Sequence, residues 1–303
     1  MVLKRFEGVI AAAPTLFDSG GEIDEKATRA LMEHYVSSQL NGVFLLSSTG
    51  EYFTLSQKKR EQFVETAAEQ IGGRLPLMVM VSDACLDTVK ENIRIMASKS
   101  VDALVLTAPY YYKYTQNELY HFFTEASEAS PLPLLVYNQP SRLPNELGEE
   151  LVIQLSKHPN IIGIKDTSAD TVRMMRLMRY CKSYPNFLYY AGAEGVAAYA
   201  AMLETNFVYA LASVKPELFL EMRRLGQKKD MDALMHLQKK VDKLCGMFSS
   251  VRGGSAASFS NFAYSIKIAL ETMGIGEAHV SQFDDKPDKD AYDRISSILK
   301  CTE

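Results

Sequence analysis

The chain has 303 residues, is 47% hydrophobic and 23% charged, and carries a net charge of −4 with both signs interspersed. That composition suits one large globular core. It excludes a disordered chain and a basic nucleic-acid binder, and with no apolar stretch of bilayer length it leaves no expectation of a membrane partner.

Short apolar runs alternate with longer amphipathic segments along the first three quarters of the chain. Strands are predicted over residues 8–12, 42–46, 77–81, 102–106, 134–137, 161–164, 187–190 and 207–211. Each is followed by a predicted helix, over residues 24–39, 56–71, 86–98, 116–129, 148–157, 171–182, 194–203 and 216–226. Asp24 and Ser56 read as N-caps and Gly72-Gly73 as a helix stop. Eight strand-then-helix units predict a parallel sheet closed into a (β/α)₈ barrel spanning residues 1–226. An open doubly wound sheet is the competitor, but its Gly-x-Gly-x-x-Gly fingerprint is missing. Beyond residue 226 no strand candidate appears. Helical periods over residues 228–248, 259–273 and 290–299 predict a C-terminal extension, residues 227–303, with a Gly/Ser-rich loop at 249–258 and a charged connector at 282–290.

The four cysteines (Cys85, Cys181, Cys245, Cys301) form no Cys-x-x-Cys pair. This argues against a zinc site or a disulfide framework and suits a reducing compartment. Residues 1–7 show no signal-peptide core, so the cytoplasm is the expectation. Arg173, Arg176 and Arg179 share one helix with Met174, Met175 and Met178, a solvated face beside a core face rather than a basic patch.

A barrel of this kind carries its site at the C-terminal ends of its strands. The apolar run at residues 160–167 ends there in Lys165. An amine at the last inward position of a buried strand is costly to keep charged, and a partly neutral lysine attacks a ketone or aldehyde carbon to give a Schiff base. The alternative is a solvated lysine paired with Asp166. After the second strand, Ser48-Thr49-Gly50 offers hydroxyls and backbone N–H groups for a carboxylate, or is simply a turn. Tyr137 ends the fifth strand, where its phenol can relay protons beside Lys165 or pack with its hydroxyl on backbone. Tyr110 to Tyr112 is apolar packing or an interface. Arg142 is a bidentate clamp for a second carboxylate or a surface arginine. Gly192-Ala193-Glu194-Gly195 follows the seventh strand, and its acidic residue opposes a phosphate site.

Assembled in this order, Ser48-Thr49-Gly50-Glu51 with Leu55, Ala108-Pro109-Tyr110-Tyr111, Tyr137-Asn138-x-Pro140 and Gly163-Ile164-Lys165-Asp166-Thr167-Ser168 resemble the pyruvate-dependent class I aldolase superfamily of dihydrodipicolinate synthase and N-acetylneuraminate lyase. The resemblance runs from residue 8 to about 226. It implies that Lys165 forms an imine with pyruvate or another 2-oxo acid. It implies Tyr137 as the acid/base phenol, Ser48 and Thr49 as holders of the pyruvyl carboxylate, and Ser48 as a member of the proton relay. Tyr111 (or its neighbour Tyr112) would reach into an adjacent subunit, making a homo-oligomer, dimer or tetramer, part of the machinery. It implies no metal and no organic cofactor.

Arg142 matches the residue that binds the carboxylate of an acidic semialdehyde in the synthases. The acceptor side otherwise departs from the family pattern. Leu143-Pro144 stands for Thr-Gly, Ala193-Glu194 for an acidic pair, and Tyr209 and Ala212 for smaller or hydroxylated residues, while Asn261 to Lys267 lacks the usual prolines. The sialic acid lyase pattern fits no better, since its acidic pair falls on Glu194-Gly195 and its serine on Ala212. The expected activity is therefore carbon–carbon bond formation or cleavage beside pyruvate. The acceptor would be a small acidic semialdehyde or a sugar-acid aldehyde, with Arg142, Glu194 and Tyr209 contacting it. Dehydration or deamination of a 2-oxo acid on the same lysine, and a non-catalytic ligand-binding barrel, are the alternatives.

Overall fold

A computed structural model describes residues 3–251, 259–282, 287 and 289–302. Eight strands, β1 (Val9–Ala12), β2 (Gly42–Leu45), β3 (Leu77–Met80), β4 (Ala103–Thr107), β5 (Leu134–Asn138), β6 (Ile161–Asp166), β7 (Leu188–Ala191) and β8 (Asn206–Tyr209), pair in sequence order, all parallel, and β8 returns to β1 to close the barrel. Every strand residue but none of the connecting segments as a whole is buried. This is why the strands read as unbroken apolar runs: both faces are covered, one by the barrel interior and one by helices.

The outer helices are α1 (Glu25–Ser37), α2 (Gln57–Ile71), α3 (Leu86–Ala97), α4 (Gln116–Glu128), α5 (Glu149–Leu155), α6 (Thr171–Ser183), α7 (Ala197–Met202) and α8 (Pro216–Lys228). Their ends follow local chemistry. The side chain of Asp24 accepts the Ala27 N–H at 2.8 Å, and Ser56 accepts the Lys59 N–H. Gly72 closes α2 in the left-handed region at φ 56°, where glycine bears no Cβ penalty. Thr115 and Glu118 cap α4 reciprocally.

Two predicted elements differ from those observed. The eighth strand stops at Tyr209 rather than running to residue 211, because the Glu194 carboxylate takes the N–H groups of Ala210 and Leu211 at 2.8 and 3.3 Å and turns the chain into a short 3₁₀ segment, Leu211–Ser213. The seventh helix begins at Ala197, not 194. Gln238 of the tail accepts the Ala198 N–H at 2.8 Å and donates to the Glu194 carbonyl at 3.2 Å, leaving Glu194–Val196 as a 3₁₀ turn.

The tail forms α9 (Met231–Cys245), α10 (Phe259–Thr272) and α11 (Lys289–Lys300). Most of the predicted loop at 249–258 and of the connector at 282–290 lies outside the described residues. Val241, Leu244, Ile266, Leu270 and Ile295 of the tail belong to the same hydrophobic cluster as the barrel. A buried ion pair ties the two together at the mouth: Lys267 of α10 bonds to Oε1 of Glu51 in the β2–α2 connection and donates to the His279 carbonyl at 2.6 Å, and Glu51 Oε2 accepts the Ser281 N–H at 2.7 Å. Both side chains are fully enclosed.

Removing one partner of such a pair leaves a bare buried charge. Lys267→Met is expected to lower unfolding stability in urea by about 3–5 kcal/mol. The double variant Glu51→Gln/Lys267→Met should recover part of that loss. Equal losses in the single and double variants would refute the pairing.

Candidate active site

Alternation along β6 sends Lys165 inward and Asp166 outward. Asp166 is fully occupied there: Oδ2 accepts Arg173 Nε at 2.6 Å, while Oδ1 accepts Asn138 Nδ2 at 3.1 Å and the Ser168 N–H at 3.0 Å. The solvated Lys165–Asp166 pair considered from sequence is therefore not formed. Lys165 is 4% exposed, and its amine lies 4.2 Å from the centre of the Tyr137 ring and 5.0 Å from that of Phe44. Among the described residues no carboxylate lies within ion-pair distance of it. Tyr137 is its direct register partner on β5.

A cavity of about 90 Å³ opens over this amine, lined among others by Ser48, Thr49, Tyr137, Arg142, Lys165 and Glu194. Six of the nine residues singled out from sequence are thus brought together. A second cavity of about 340 Å³, lined by Tyr52, Phe53, Thr107 and Tyr110, adjoins it at the barrel mouth, and Ser48, Gln139 and Arg142 line both. Arg142 is exposed at this junction, its guanidinium 5.5 Å from the Phe262 ring centre. Space for the lysine comes from Gly192: a Cβ there would fall 2.3 Å from Thr167 Oγ1 and 3.1 Å from Lys165 Cε.

The turn after β2 is held in a strained form, with Leu46 and Glu51 both in the left-handed region (φ 58° and 59°). Thr15 Oγ1 donates to the Gly50 carbonyl at 2.7 Å, and Ser47 Oγ accepts the N–H groups of Thr49 and Gly50 at 3.2 and 3.4 Å. This corrects the expected anion nest. The N–H groups of Thr49 and Gly50 are taken up by Ser47, while Ser48 and Thr49 line the cavity. Gly50 lines neither cavity; its place is steric, because a Cβ would sit 3.0 Å from the Ala13 carbonyl oxygen.

Two further placements differ from expectation. Tyr209 points outward from β8, between the ring of Phe207 (4.9 Å) and that of Phe219 in α8 (5.1 Å). Strand alternation gives the cavity Val208 and Ala210 instead. Tyr111 does not join Lys165 within this chain: it is 83% exposed, at φ 86°, edge-on to the exposed Tyr112.

Sequence reasoning missed Gln139, Thr167 and Phe262. The first two lie two residues beyond Tyr137 and Lys165, and strand period carried on past the strand ends is the signal that could have found them. Thr167 Oγ1 is buried and has no hydrogen-bond partner among the described residues. Phe262 enters from α10, and nothing local to it signals that. Burial raises the Glu194 carboxyl above its ordinary value, against the opposing pull of its backbone N–H bonds and of the Lys165 charge. Among the described residues no cluster of three His, Cys, Asp or Glu side chains is placed to hold a metal, and no helix is long and apolar enough to cross a membrane.

The profile of the Dihydrodipicolinate synthetase family matches residues 5–296. The 4-hydroxy-tetrahydrodipicolinate synthase of Phenylobacterium zucineum is 28% identical over 245 residues, covering 80% of this chain and 82% of that protein. The solved dihydrodipicolinate synthase of Bacteroides thetaiotaomicron superposes with a TM-score of 0.90 at 27% identity, over 97% of this chain and 98% of that one. The Acinetobacter baumannii dihydrodipicolinate synthase, solved in complex with pyruvate, shares the fold (TM-score 0.88, 24% identity, 98% of each chain).

A carboxyl whose pKa is higher folded than unfolded holds its proton more tightly in the native state. The stability it adds is complete below the unfolded value and is lost as pH rises through the folded one. Urea denaturation is therefore expected to show the parent chain losing stability relative to Glu194→Gln as pH rises above about 4.5, with a constant difference below. A difference that is flat across that interval would contradict a raised Glu194 carboxyl.

Proposed function

This chain belongs to the dihydrodipicolinate synthetase family, and on that premise we propose that it is a pyruvate-dependent class I aldolase-type lyase or synthase working through a Schiff base on Lys165. The observation that carries this is the amine itself: buried, without a carboxylate partner among the described residues, and against the face of the Tyr137 ring. The Nζ lone pair adds to the keto carbon, and the resulting hydroxyl takes up a proton and leaves as water. The protonated imine then draws electrons from C3 of the pyruvyl unit. Loss of a C3 proton gives the enamine that attacks an aldehyde; the reverse sequence cleaves the bond. The Tyr137 phenol is the proton carrier at this centre, and the Ser48 and Thr49 hydroxyls hold the carboxylate.

Arg142 at the junction of the two cavities supports an acceptor that carries its own carboxylate, in line with the synthase names of the curated relatives. An acidic semialdehyde or a sugar-acid aldehyde meets that requirement. The exposed Tyr111 and Tyr112 rings support a neighbouring copy of the chain covering the mouth, as a dimer or tetramer. Four free cysteines support a reducing, cytoplasmic setting.

Borohydride treatment in the presence of pyruvate should fix a reduced adduct on Lys165, read by intact mass and peptide mapping, and Lys165→Ala should abolish it. No adduct, under conditions that label a known class I aldolase, would overturn the proposal. Tyr137→Phe should lower turnover about 10²–10⁴-fold, the range for loss of a general acid–base. Tyr111→Ala should weaken assembly in analytical ultracentrifugation and reduce activity with it. An unchanged sedimentation profile would remove Tyr111 from the interface.

A further inference from the structure

The Tyr137 hydroxyl donates its hydrogen bond to Oε1 of Gln139. Neither Ser48 nor Lys165 is its partner; the lysine amine lies over the ring face, 4.2 Å from its centre. A phenol has one proton to give, and its oxygen also accepts. With that proton committed to Gln139, what Tyr137 offers the Lys165 cavity is its lone pairs. The amide oxygen of a glutamine is an acceptor only, so it fixes the hydroxyl without relaying a proton onward.

Gln139 is itself held firmly. It is 7% exposed, its Nε2 donates to Ser141 Oγ at 3.2 Å, and its backbone carbonyl accepts the N–H groups of Arg142 and Leu143 at 3.1 and 3.0 Å. The same residue thus anchors the phenol at one end and the turn that carries Arg142 at the other, at the boundary of the two cavities.

We infer that Gln139 is a positioning residue for the reaction proposed above: it fixes the rotation of the Tyr137 hydroxyl, so that the phenol meets a 2-oxo acid on Lys165 first as a hydrogen-bond acceptor and gives up its own proton only on leaving Gln139. The inference rests on the Schiff-base reading of Lys165. Sequence position alone does not suggest it, because Gln139 has no catalytic chemistry of its own.

The test uses the full chain and pyruvate alone. Enamine formation exchanges the methyl protons of pyruvate with solvent, which NMR in deuterium oxide follows without any acceptor. Gln139→Leu is expected to slow this exchange about tenfold to a hundredfold, the scale set by misplacing a catalytic group by ~1 Å, while borohydride still traps the adduct. Gln139→Glu keeps an acceptor and should restore most of the rate, with the basic limb of the pH profile moved upward because a neighbouring negative charge opposes the phenolate. In a Tyr137→Phe background, Gln139→Leu should have no further effect. Gln139→Met serves the same purpose where the leucine variant does not fold.

The inference is overturned where Gln139→Leu exchanges at the parental rate at every pH. It is also overturned where the substitution slows exchange by the same factor with and without the Tyr137 hydroxyl, as a merely structural residue would. Failure of the parent chain to trap pyruvate overturns the Schiff-base reading itself, and this inference with it. Normal trapping with an indifferent Gln139 overturns this inference alone.

Discussion

The site depends on how the charges at the end of β6 are shared out. Two ionisable residues stand side by side, and the pleat sends them to opposite faces. Outside the sheet, Asp166 finds Arg173 and Asn138 and is saturated. Inside, Lys165 is left with aromatic faces. Were the carboxylate free to reach the amine, the pair would neutralise each other and the lysine would be a structural cation. The pleat itself keeps the carboxylate from the amine, and the buried Arg173–Asp166 bond satisfies the charge that it sends to the far side of the sheet.

Around that amine the remaining parts are set by backbone. A glycine just after β7, Gly192, leaves the volume the lysine side chain occupies. The turn after β2 brackets its hydroxyls between two left-handed non-glycine residues, each costing on the order of 1–2 kcal/mol. It is kept there by Thr15, by Ser47 and by the ion pair of Glu51. Strain of this kind persists only where the surroundings over-determine it, and here they come from the segment after β1, the turn itself and the tail.

Much of this was legible in the residue order. The strand-and-helix alternation predicts the closed barrel, because parallel strands buried on both faces leave long apolar runs and the helices between them carry recognisable caps. Lys165, Tyr137, Ser48, Thr49, Arg142 and Glu194 were legible as strand-end residues and do share one cavity. The misplacements have a common cause. Tyr209 was one residue out of phase with the inward face of β8, and in a strand one residue is the whole difference between cavity and outer wall. Gly50 shares the motif of Ser48 and Thr49, but its carbonyl accepts the Thr15 hydroxyl and its missing Cβ spares a clash with the Ala13 carbonyl. Phe262 and Lys267 reach the mouth from a helix more than ninety positions beyond Lys165 in the chain, and no local pattern encodes such a contact.

The bond between Lys267 and Glu51 also bears on how this architecture can change. A carboxylate enclosed beneath the rim of the barrel obliges whatever helix covers it to bring a cation. A graft that exchanged the tail for that of a relative would have to import a matching base at the same depth, or rebuild the hydroxyl-bearing turn as well. The two segments are therefore heritable as one unit, though more than two hundred residues separate them.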